Sequence, residues 1–435
     1  RGMAAQRTWP GSPVSGLGRD ATVLLLVLAA GNASSYVFHL LMARMLGPPQ
    51  YGALSALLGI LVVLGVPAGA IQAVVARRVA LLCGDRAGLG LGVLLRSMLR
   101  LAVVGAVATT GLVAATAPWS AQFLRLDGPT STLLLAPLAG LSLLGPVGRG
   151  VLQGQMRFGL LGGVLAGGML LRLAVAPLLV AAGLGLSGAV LGVLVAEGVA
   201  VVLAFLPLGE AFRTPPAGSA TQVAGMLREA ARASLSLLAF WLLVTMDVIF
   251  ARHYLSPGDA GRYAAAALVG RAVLFLPAGL EVVVYPRFAR FGRQARTALG
   301  LSLAVVVALG AGASLGIAVF PWALTVALGP AYQGAVAVAP LLGLAMTGFG
   351  AVSMFLYYRM AQGRAPLGRL WSAIVLEVAA LTVFHASPVA LAFVVLTTAW
   401  ILAAALWPLR QGPTRTALPP PMETWPEART AARHP

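Results

Sequence analysis

Twelve apolar stretches, most of them about 20 residues long, dominate this sequence. A helix of about 20 apolar residues crosses the hydrocarbon core of a bilayer, where every backbone polar group must be paired within its own segment. The stretches are too many for one soluble core. Only 10% of the residues are charged, against about 25% in soluble domains. The chain is therefore predicted to be an all-α polytopic membrane protein.

The longest polar connection divides the predicted spans into two sets of six. Because six is even, both halves begin on the same side, and we expect two six-helix lobes related by a pseudo-two-fold axis along the membrane normal. The predicted regions are a disordered cytoplasmic arm at 1–18, an N-terminal lobe at 19–207, a cytoplasmic linker at 208–233, a C-terminal lobe at 234–408 and a disordered cytoplasmic tail at 409–435. The predicted spans are 21–45, 51–76, 97–117, 131–152, 158–182, 186–207, 234–252, 262–285, 299–326, 333–358, 367–385 and 388–408.

The net charge of +18 comes from 30 basic residues, all of them arginine. Such a basic balance can indicate nucleic-acid binding, but here most arginines lie in alternate connections between spans. The opposite connections hold only Arg44, Arg125, Arg252 and Arg262. The positive-inside rule therefore predicts that both termini are cytoplasmic. No nucleic-acid partner is expected.

Two hairpins, at 36–80 and 244–289, repeat one pattern and identify the chain as a duplicated membrane unit. The equivalent pairs are Arg44 and Arg252, Gly52 and Gly261, and Pro67 and Pro277. Each of the two prolines stands inside a predicted span and removes a backbone hydrogen bond. We predict hinges for alternating access at these prolines, or, alternatively, static kinks.

Ionisable residues interrupt the apolar runs of the second hairpin. A charge at the bilayer centre costs about 3 kcal/mol, so Asp247, Arg271 and Glu281 should face a polar interior. Asp247 and Arg271 fall at comparable depth, which predicts either a structural ion pair or a protonatable, headgroup-contacting site. Glu281 could take up a proton or cation, or neutralise the arginines that follow it. His39 occupies the position in the first hairpin that matches Asp247, which favours a coupling role.

The first half contains a second candidate pair. Arg172 and Glu197 fall at nearly equal depth in adjacent antiparallel spans, so they should form a buried structural pair. If Arg172 instead faces a central cavity, its planar guanidinium suits a pyrophosphate. Asn32 is a further candidate for the cavity lining, and Glu377 has no obvious partner.

Several signatures of enzymes and metal sites are absent from the sequence. It contains no GxxxxGK[ST], HExxH or GxSxG motif and no metal-spaced Cys/His cluster, and the lone Cys83 excludes an internal disulfide. The predicted external connections are too short for a catalytic domain. We therefore expect no catalytic residue, no metal site and no enzyme activity.

The run ARMLGPPQYGALSALLGI, followed by PAGAIQAVVARRVA, resembles the first hairpin of polysaccharide-transporter (oligosaccharide flippase) proteins. These belong to the multidrug/oligosaccharidyl-lipid/polysaccharide (MOP) exporter superfamily. The second hairpin is similar to the seventh and eighth spans of the same family. The matching residues there are Asp247, Ala260-Gly261-Arg262-Tyr263 and Gly270-Arg271.

This resemblance implies a MOP- and MATE-like fold that works by alternating access in a bacterial cytoplasmic membrane. The implied substrate is an undecaprenyl-pyrophosphate-linked oligosaccharide or polysaccharide precursor, carried from the cytoplasmic to the outer leaflet and coupled to a proton or sodium ion. Glycan polymerases or glycosyltransferases of the same pathway are implied partners. Two alternatives stay open: a MATE-like multidrug or cation antiporter, with acids and aromatics in its cavity, and a membrane glycan polymerase or ligase with a sizeable external loop.

Overall fold

The computed structural model describes residues 13–84, 89–212, 220–277, 280, 284–285, 287–288, 293–362 and 366–407. These residues are almost entirely helical and contain no strand. The helices are α1 (Pro13–Gly84), α2 (Leu89–Phe123), α3 (Thr130–Gly154), α4 (Phe158–Leu179), α5 (Gly185–Phe205), α6 (Ala220–Tyr254), α7 (Pro257–Phe275), α8 (Arg293–Val319), α9 (Pro321–Leu328), α10 (Ala339–Ala361), α11 (Leu367–Val383) and α12 (Pro388–Leu406).

Helix α1 contains the first two predicted spans, because the chain reverses at Gly47. The backbone of Gly47 has φ 66° and ψ 173°, in a region that glycine adopts without a steric penalty. Pro48 and Pro49 follow, and a residue before proline avoids the helical conformation. With α1 supplying two spans, and α2–α8 and α10–α12 supplying one each, the predicted twelve membrane helices are confirmed.

Eight helical segments of the described chain are long and apolar enough to cross a membrane by length and composition alone. Two of these segments, Ala33–Ala80 and Phe158–Gly209, each contain two spans. Helix α11 is absent from this set because it has only 17 residues. Helix α7, at 19 residues, carries three charged side chains, so it needs protein neighbours rather than lipid around it.

Two predicted spans differ from the observed helices. The ninth was predicted as one helix over 299–326, but α8 ends at Val319 and α9 begins at Pro321, since a proline ring cannot continue the preceding hydrogen-bond ladder. The eighth was predicted to bend at Pro277. There α7 ends at Phe275 and Pro277 lies in a turn, accepting a hydrogen bond from the Leu280 amide at 2.8 Å, and the described residues 280, 284–285 and 287–288 are again helical. Pro67, by contrast, lies inside continuous helix.

The segments predicted as polar connections contain more helix than expected. A 3₁₀ helix spans Leu206–Phe212 and α6 begins at Ala220, both inside or bordering the predicted linker. The α6 segment is rich in Ala, Leu, Arg and Glu, which favour helix. Helix α1 begins at Pro13, within the predicted N-terminal arm. Residues 1–12, 213–219 and the tail at 408–435 lie outside the described residues.

In chain order the helices supply two sets of six spans, α1–α5 and α6–α12, which we call the N-terminal lobe and the C-terminal lobe. Helix α1 makes the main contact between the lobes, packing against α6 and α7. We call the end of the bundle with the turns at Gly47, 124–129, 255–256 and 384–387 the hairpin end. The opposite end, with the connections 155–157, 206–219 and 362–366, is the linker end.

The closest approach between the lobes lies at the hairpin end. At the hairpin end, a Cβ on Gly52 of α1 would come within 2.8 Å of the Gly261 amide nitrogen of α7. Further along the same face of α1, a Cβ on Gly59 would lie 3.9 Å from the Thr245 carbonyl of α6. The lobes therefore approach each other most closely at the hairpin end.

Candidate functional site

A cavity of about 220 Å³ lies between the lobes, lined by α1 on one side and by α6 and α7 on the other. Arg271 is the only permanently charged residue among its described lining residues, and no described carboxylate lines it. The full lining is Ser35, Tyr36, His39, Ser55, Leu58, Gly59, Val62, Trp241, Thr245, Leu268, Arg271 and Phe275. The cavity therefore has a mainly apolar and aromatic wall that carries several polar side chains and one positive charge.

Arg271 reaches this cavity from α7 and is held by α6. Its Nη2 donates to Asp247 Oδ1 at 3.0 Å, and Nε and Nη2 donate to the Val244 carbonyl at 3.3 and 3.1 Å. Asp247 is fully buried and also accepts from the Tyr263 hydroxyl at 3.1 Å. The predicted Asp247–Arg271 pairing is confirmed. Because the Arg271 side chain is 18% exposed and that of Asp247 is 0% exposed, the pair turns its cation, not its anion, towards the cavity.

His39 lies on the opposite wall, between the two lobes' arginines. Its Nδ1 is 3.3 Å from the Tyr51 hydroxyl, and the positive charges of both Arg172 and Arg271 act on its ring. Arg172, from α4, places its guanidinium carbon 4.5 Å from the Phe38 ring centroid, a cation–π geometry. Its buried Nε has no hydrogen-bond partner among the described residues. Arg172 is not among the described lining residues, so Arg271 supplies the positive charge on the cavity wall, which favours an anion there.

The predicted Arg172–Glu197 pair is wrong. Glu197 Oε1 accepts from Arg149 Nη1 at 3.4 Å instead, because α3 packs against α5 and places Arg149 beside it. Arg172 lies over Phe38 of α1 and interacts with Glu197 only through their opposite charges, without a hydrogen bond. The two side chains of the observed pair are 16% and 28% exposed, so this is a half-buried contact within one lobe.

The sequence analysis assigned Glu377 on α11 neither a partner nor a role. It is fully buried, and neither carboxylate oxygen has a hydrogen-bond partner in the described part of the chain. Helix α11 packs against α6, and Glu377 interacts electrostatically with Asp247. The only sequence signal was an acid in the middle of an apolar run. Glu281 and the side chain of Asn32 lie outside the described residues.

A second, larger cavity lies beside the first. It has a volume of about 580 Å³ and is lined by α1, α2, α3 and α6, with Pro67 and Leu242 on its walls and Thr109 as its only polar lining residue. Val63 and Leu242 line this cavity, and their chain neighbours Val62 and Trp241 line the polar one. A polar compartment and an apolar compartment thus adjoin at the junction of the lobes.

Two pseudo-symmetric six-helix lobes, closed at one end around a charged internal cavity, define a two-lobed polytopic membrane fold. Neither a protein-family model nor a curated relative matches the sequence. Solved structures match the fold. A multidrug resistance MATE family transporter of the MOP superfamily, in an inward-facing conformation, has a TM-score of 0.75 and 14% identity over 88% of this chain and 96% of its own.

The fold also resembles that of a solved lipid flippase. The lipid II flippase MurJ, in an inward closed conformation, has a TM-score of 0.67 and 12% identity over 88% of this chain and 86% of its own. An outward-facing MATE family transporter of the MOP superfamily has a TM-score of 0.55 and 14% identity over 89% and 93%. The chain therefore has the MATE- and MurJ-like fold, and it is more similar to the inward-facing MATE structure than to the outward-facing one.

Proposed function

We propose that this protein is a MOP-type flippase that moves an anionic, lipid-linked saccharide across a membrane by alternating access. The observation that carries the proposal is Arg271, the only permanent charge among the described lining residues of a cavity with no described carboxylate on its wall. Arg172 of the other lobe lies over Phe38, next to His39, and adds positive charge behind that wall. A planar guanidinium binds phosphate oxygens in a bidentate manner. The substrate proposed is an undecaprenyl-pyrophosphate-linked oligosaccharide or polysaccharide precursor.

The two adjoining cavities suit the two parts of such a substrate. The sugar and pyrophosphate need a polar path, whereas the polyprenyl chain stays in hydrocarbon throughout. The cavity containing Arg271 supplies polar groups, and the neighbouring apolar cavity is open to a hydrocarbon chain. We place the protein in a bacterial cytoplasmic membrane, with both termini cytoplasmic, where glycosyltransferases or a glycan polymerase of the same pathway would supply or use its substrate.

Coupling to a proton or sodium ion is proposed for the C-terminal lobe. Arg271 neutralises Asp247, whereas Glu377 is fully buried and its carboxylate oxygens have no hydrogen-bond partner among the described residues. A buried carboxyl without such a partner ionises only beside a cation. Asp247→Asn would leave the Arg271 charge without its counter-ion and should impair export while the protein still inserts. Normal surface glycan in cells carrying that variant would remove Asp247 from the mechanism.

The proposal is tested by deleting the gene in its native host and analysing the lipid-linked intermediates by mass spectrometry. We expect one undecaprenyl-pyrophosphate-linked saccharide to accumulate, and the wild-type gene to clear it. Arg271→Ala should fail to clear it, whereas Arg262→Ala, whose hydrogen bonds to Asp259 and Ala331 lie outside the cavity, should succeed. Unchanged lipid pools in the deletion strain would exclude a flippase for these lipids.

A second candidate function is multidrug or cation antiport. It is favoured by the TM-score of 0.75 to a MATE transporter and by three aromatic residues, Tyr36, Trp241 and Phe275, on the cavity wall. Arg271 in the same wall argues against cationic drugs. Increased sensitivity of the deletion strain to lipophilic cations, with normal lipid pools, would favour this candidate. A glycan polymerase or ligase is less supported, because the connection predicted at 118–130 is a helix end and a short turn.

A further inference from the structure

Arg252, at the hairpin end of α6, crosses from the C-terminal lobe into the N-terminal lobe. Its Nε donates to the Leu124 carbonyl at 2.8 Å, Nη2 to the Arg125 carbonyl at 2.9 Å and Nη1 to the Pro49 carbonyl at 3.1 Å. The residue is only 6% exposed. One buried guanidinium thus binds three carbonyl groups of the other lobe.

Arg44, the equivalent residue of the first hairpin, crosses in the opposite direction. Its Nε donates to the Ala327 carbonyl at 2.9 Å, and its Nη2 donates to the Val326 carbonyl. Both acceptors belong to the C-terminal lobe. Arg44 is exposed, so its contact is the weaker of the two.

The acceptors of the two arginines are equivalent as well. Leu124 and Arg125 directly follow the end of α2, which is the third span, and Val326 and Ala327 lie in the last turn of α9, which follows the ninth span. The last carbonyls of a helix lack intrahelical partners and carry partial negative charge. Each arginine therefore caps a helix end that belongs to the opposite lobe, and the pseudo-two-fold axis exchanges the two contacts.

We propose that Arg44 and Arg252 form a reciprocal interlobe latch that holds the hairpin end closed and sets the balance between the two access states. Opening at the hairpin end must break these arginine–carbonyl bonds, because their donors and acceptors are in different lobes. The acceptors are backbone groups, so replacing either arginine removes its bonds without changing an acceptor. Further interlobe contacts, from Arg125 Nη1 to the Leu255 carbonyl at 3.4 Å and between His253 Nδ1 and the Phe123 carbonyl at 2.8 Å, lie beside the latch. The Gly52–Gly261 contact lies beside it and brings the lobes close enough for both side chains to reach.

A chain of aromatic contacts connects the latch to the cavity. The Tyr332 hydroxyl, in the C-terminal lobe, donates to the carbonyl of Ala43, the residue before Arg44, at 2.8 Å. The Tyr332 ring meets Tyr51 edge to face with centroids 6.1 Å apart, and the Tyr51 hydroxyl reaches His39 on the cavity wall. A ligand that moves His39 therefore acts on a side chain packed directly against the closed end.

The latch is tested by measuring interlobe distances with pairs of spin labels in lipid nanodiscs. The lone Cys83 is first replaced in a Cys83→Ser background. One label pair, at Pro129 and Ala386, reports on the hairpin end, and the other, at Met156 and Gly368, reports on the linker end. Double electron–electron resonance then gives the populations of the closed and open states at each end.

We expect Arg252→Ala to change the ratio of closed to open hairpin ends by about tenfold or more, since hydrogen bonds to charged groups are the strong ones. The hairpin-end distance should lengthen as the linker-end distance shortens. Arg44→Ala should act in the same direction but less, and the double variant most. Arg252→Lys should give an intermediate shift, because an ammonium cannot reproduce the planar, multidentate contact.

Arg262→Ala is the matched control, because this arginine also lies at the hairpin end but bonds within its own lobe, to Asp259 and Ala331. Unchanged distances in the double variant, or an equal shift in Arg262→Ala, would overturn the latch. If Arg252→Ala does not fold, Arg44→Ala and Arg252→Lys decide the question. No substrate is needed, so the result is independent of whether the transported molecule is a lipid-linked glycan.

Discussion

At the scale of single residues, Asp247 and Arg271 form an ion pair between α6 and α7, and Arg271 also lines the cavity. Removing Asp247 leaves the Arg271 guanidinium and the Tyr263 hydroxyl without a shared acceptor, and breaking a buried pair costs about 3–5 kcal/mol. Asp247→Ala should therefore lower the unfolding temperature in detergent markedly. Asp247→Asn, which keeps an acceptor oxygen, should lower it less.

The double variant Asp247→Asn/Arg271→Gln distinguishes pairing from independent effects. Because it leaves neither charge alone, we expect it to be more stable than the sum of the two single changes implies. Strict additivity would mean that the two side chains do not stabilise each other. Recovery of stability without recovery of export would show that the pair also serves transport.

Residue-scale prediction from the sequence succeeded where two residues share one hairpin. Asp247 and Arg271 lie on consecutive antiparallel helices, so equal depth was enough to pair them. Depth also suggested Arg172 as the partner of Glu197, yet Arg149 occupies that place. Three helices meet there, and which arginine faces the acid depends on the rotation of each helix about its axis. Hydropathy does not determine that rotation when a span is apolar on all sides.

At the scale of elements, the close approach of α1 and α7 requires glycine in both hairpins. A Cβ on Gly261 would overlap the Pro48 carbonyl. Gly261→Ala should therefore either destabilise the protein, by about 1–3 kcal/mol as for other overpacked sites, or push the hairpin ends of the lobes apart. Thermal unfolding and the hairpin-end label pair measure these two outcomes.

Gly65→Ala on the same helix is the control, since its Cβ would meet no described atom within 4 Å. Alanine is the better helix former, so this variant should be neutral or slightly more stable. Equal stability of the Gly261→Ala and Gly65→Ala variants would contradict the close packing of the two hairpins.

Helix locations were predictable because spans must be apolar over the thickness of the bilayer, whereas helix breaks were not. Pro67 and Pro277 occupy matching positions in the repeat, yet the helix is continuous at Pro67 and interrupted at Pro277. A proline bends or ends a helix according to whether neighbouring groups satisfy the carbonyls that it releases. That depends on packing partners that differ between the lobes. The hinge role of both prolines stays a prediction.

At the scale of the whole molecule, the arginine distribution predicts which end faces the cytoplasm. Single cysteines placed at Gly128, at the hairpin end, and at Met156, at the linker end, test this in the Cys83→Ser background. In intact cells a membrane-impermeant maleimide should label the Gly128→Cys variant. The Met156→Cys variant should be labelled only after the membrane is permeabilised. The reverse pattern would invert the assigned topology and place both termini outside.

The separation of the lobes further predicts that the cavity is reached from one end at a time. Ser35 lines the polar cavity, and the lobes are in close contact at the hairpin end, where Gly52 meets Gly261. In the same background, Ser35→Cys should react with a charged thiol reagent supplied from the linker side and not from the hairpin side. Leu315→Cys, at a position 65% exposed on the outer surface of α8, should stay unlabelled from both sides, because a charged reagent does not enter hydrocarbon.

Combining Ser35→Cys with Arg252→Ala links this access to the latch. When the closed end loses its buried guanidinium, the fraction of molecules open at the hairpin end rises, and the labelling rate from that side should rise in proportion to it. Labelling from the linker side should fall by the same fraction of molecules, because a molecule that opens at the hairpin end closes at the linker end. Simultaneous labelling from both sides at full rate would describe an open pore, which is incompatible with alternating access by two rigid lobes.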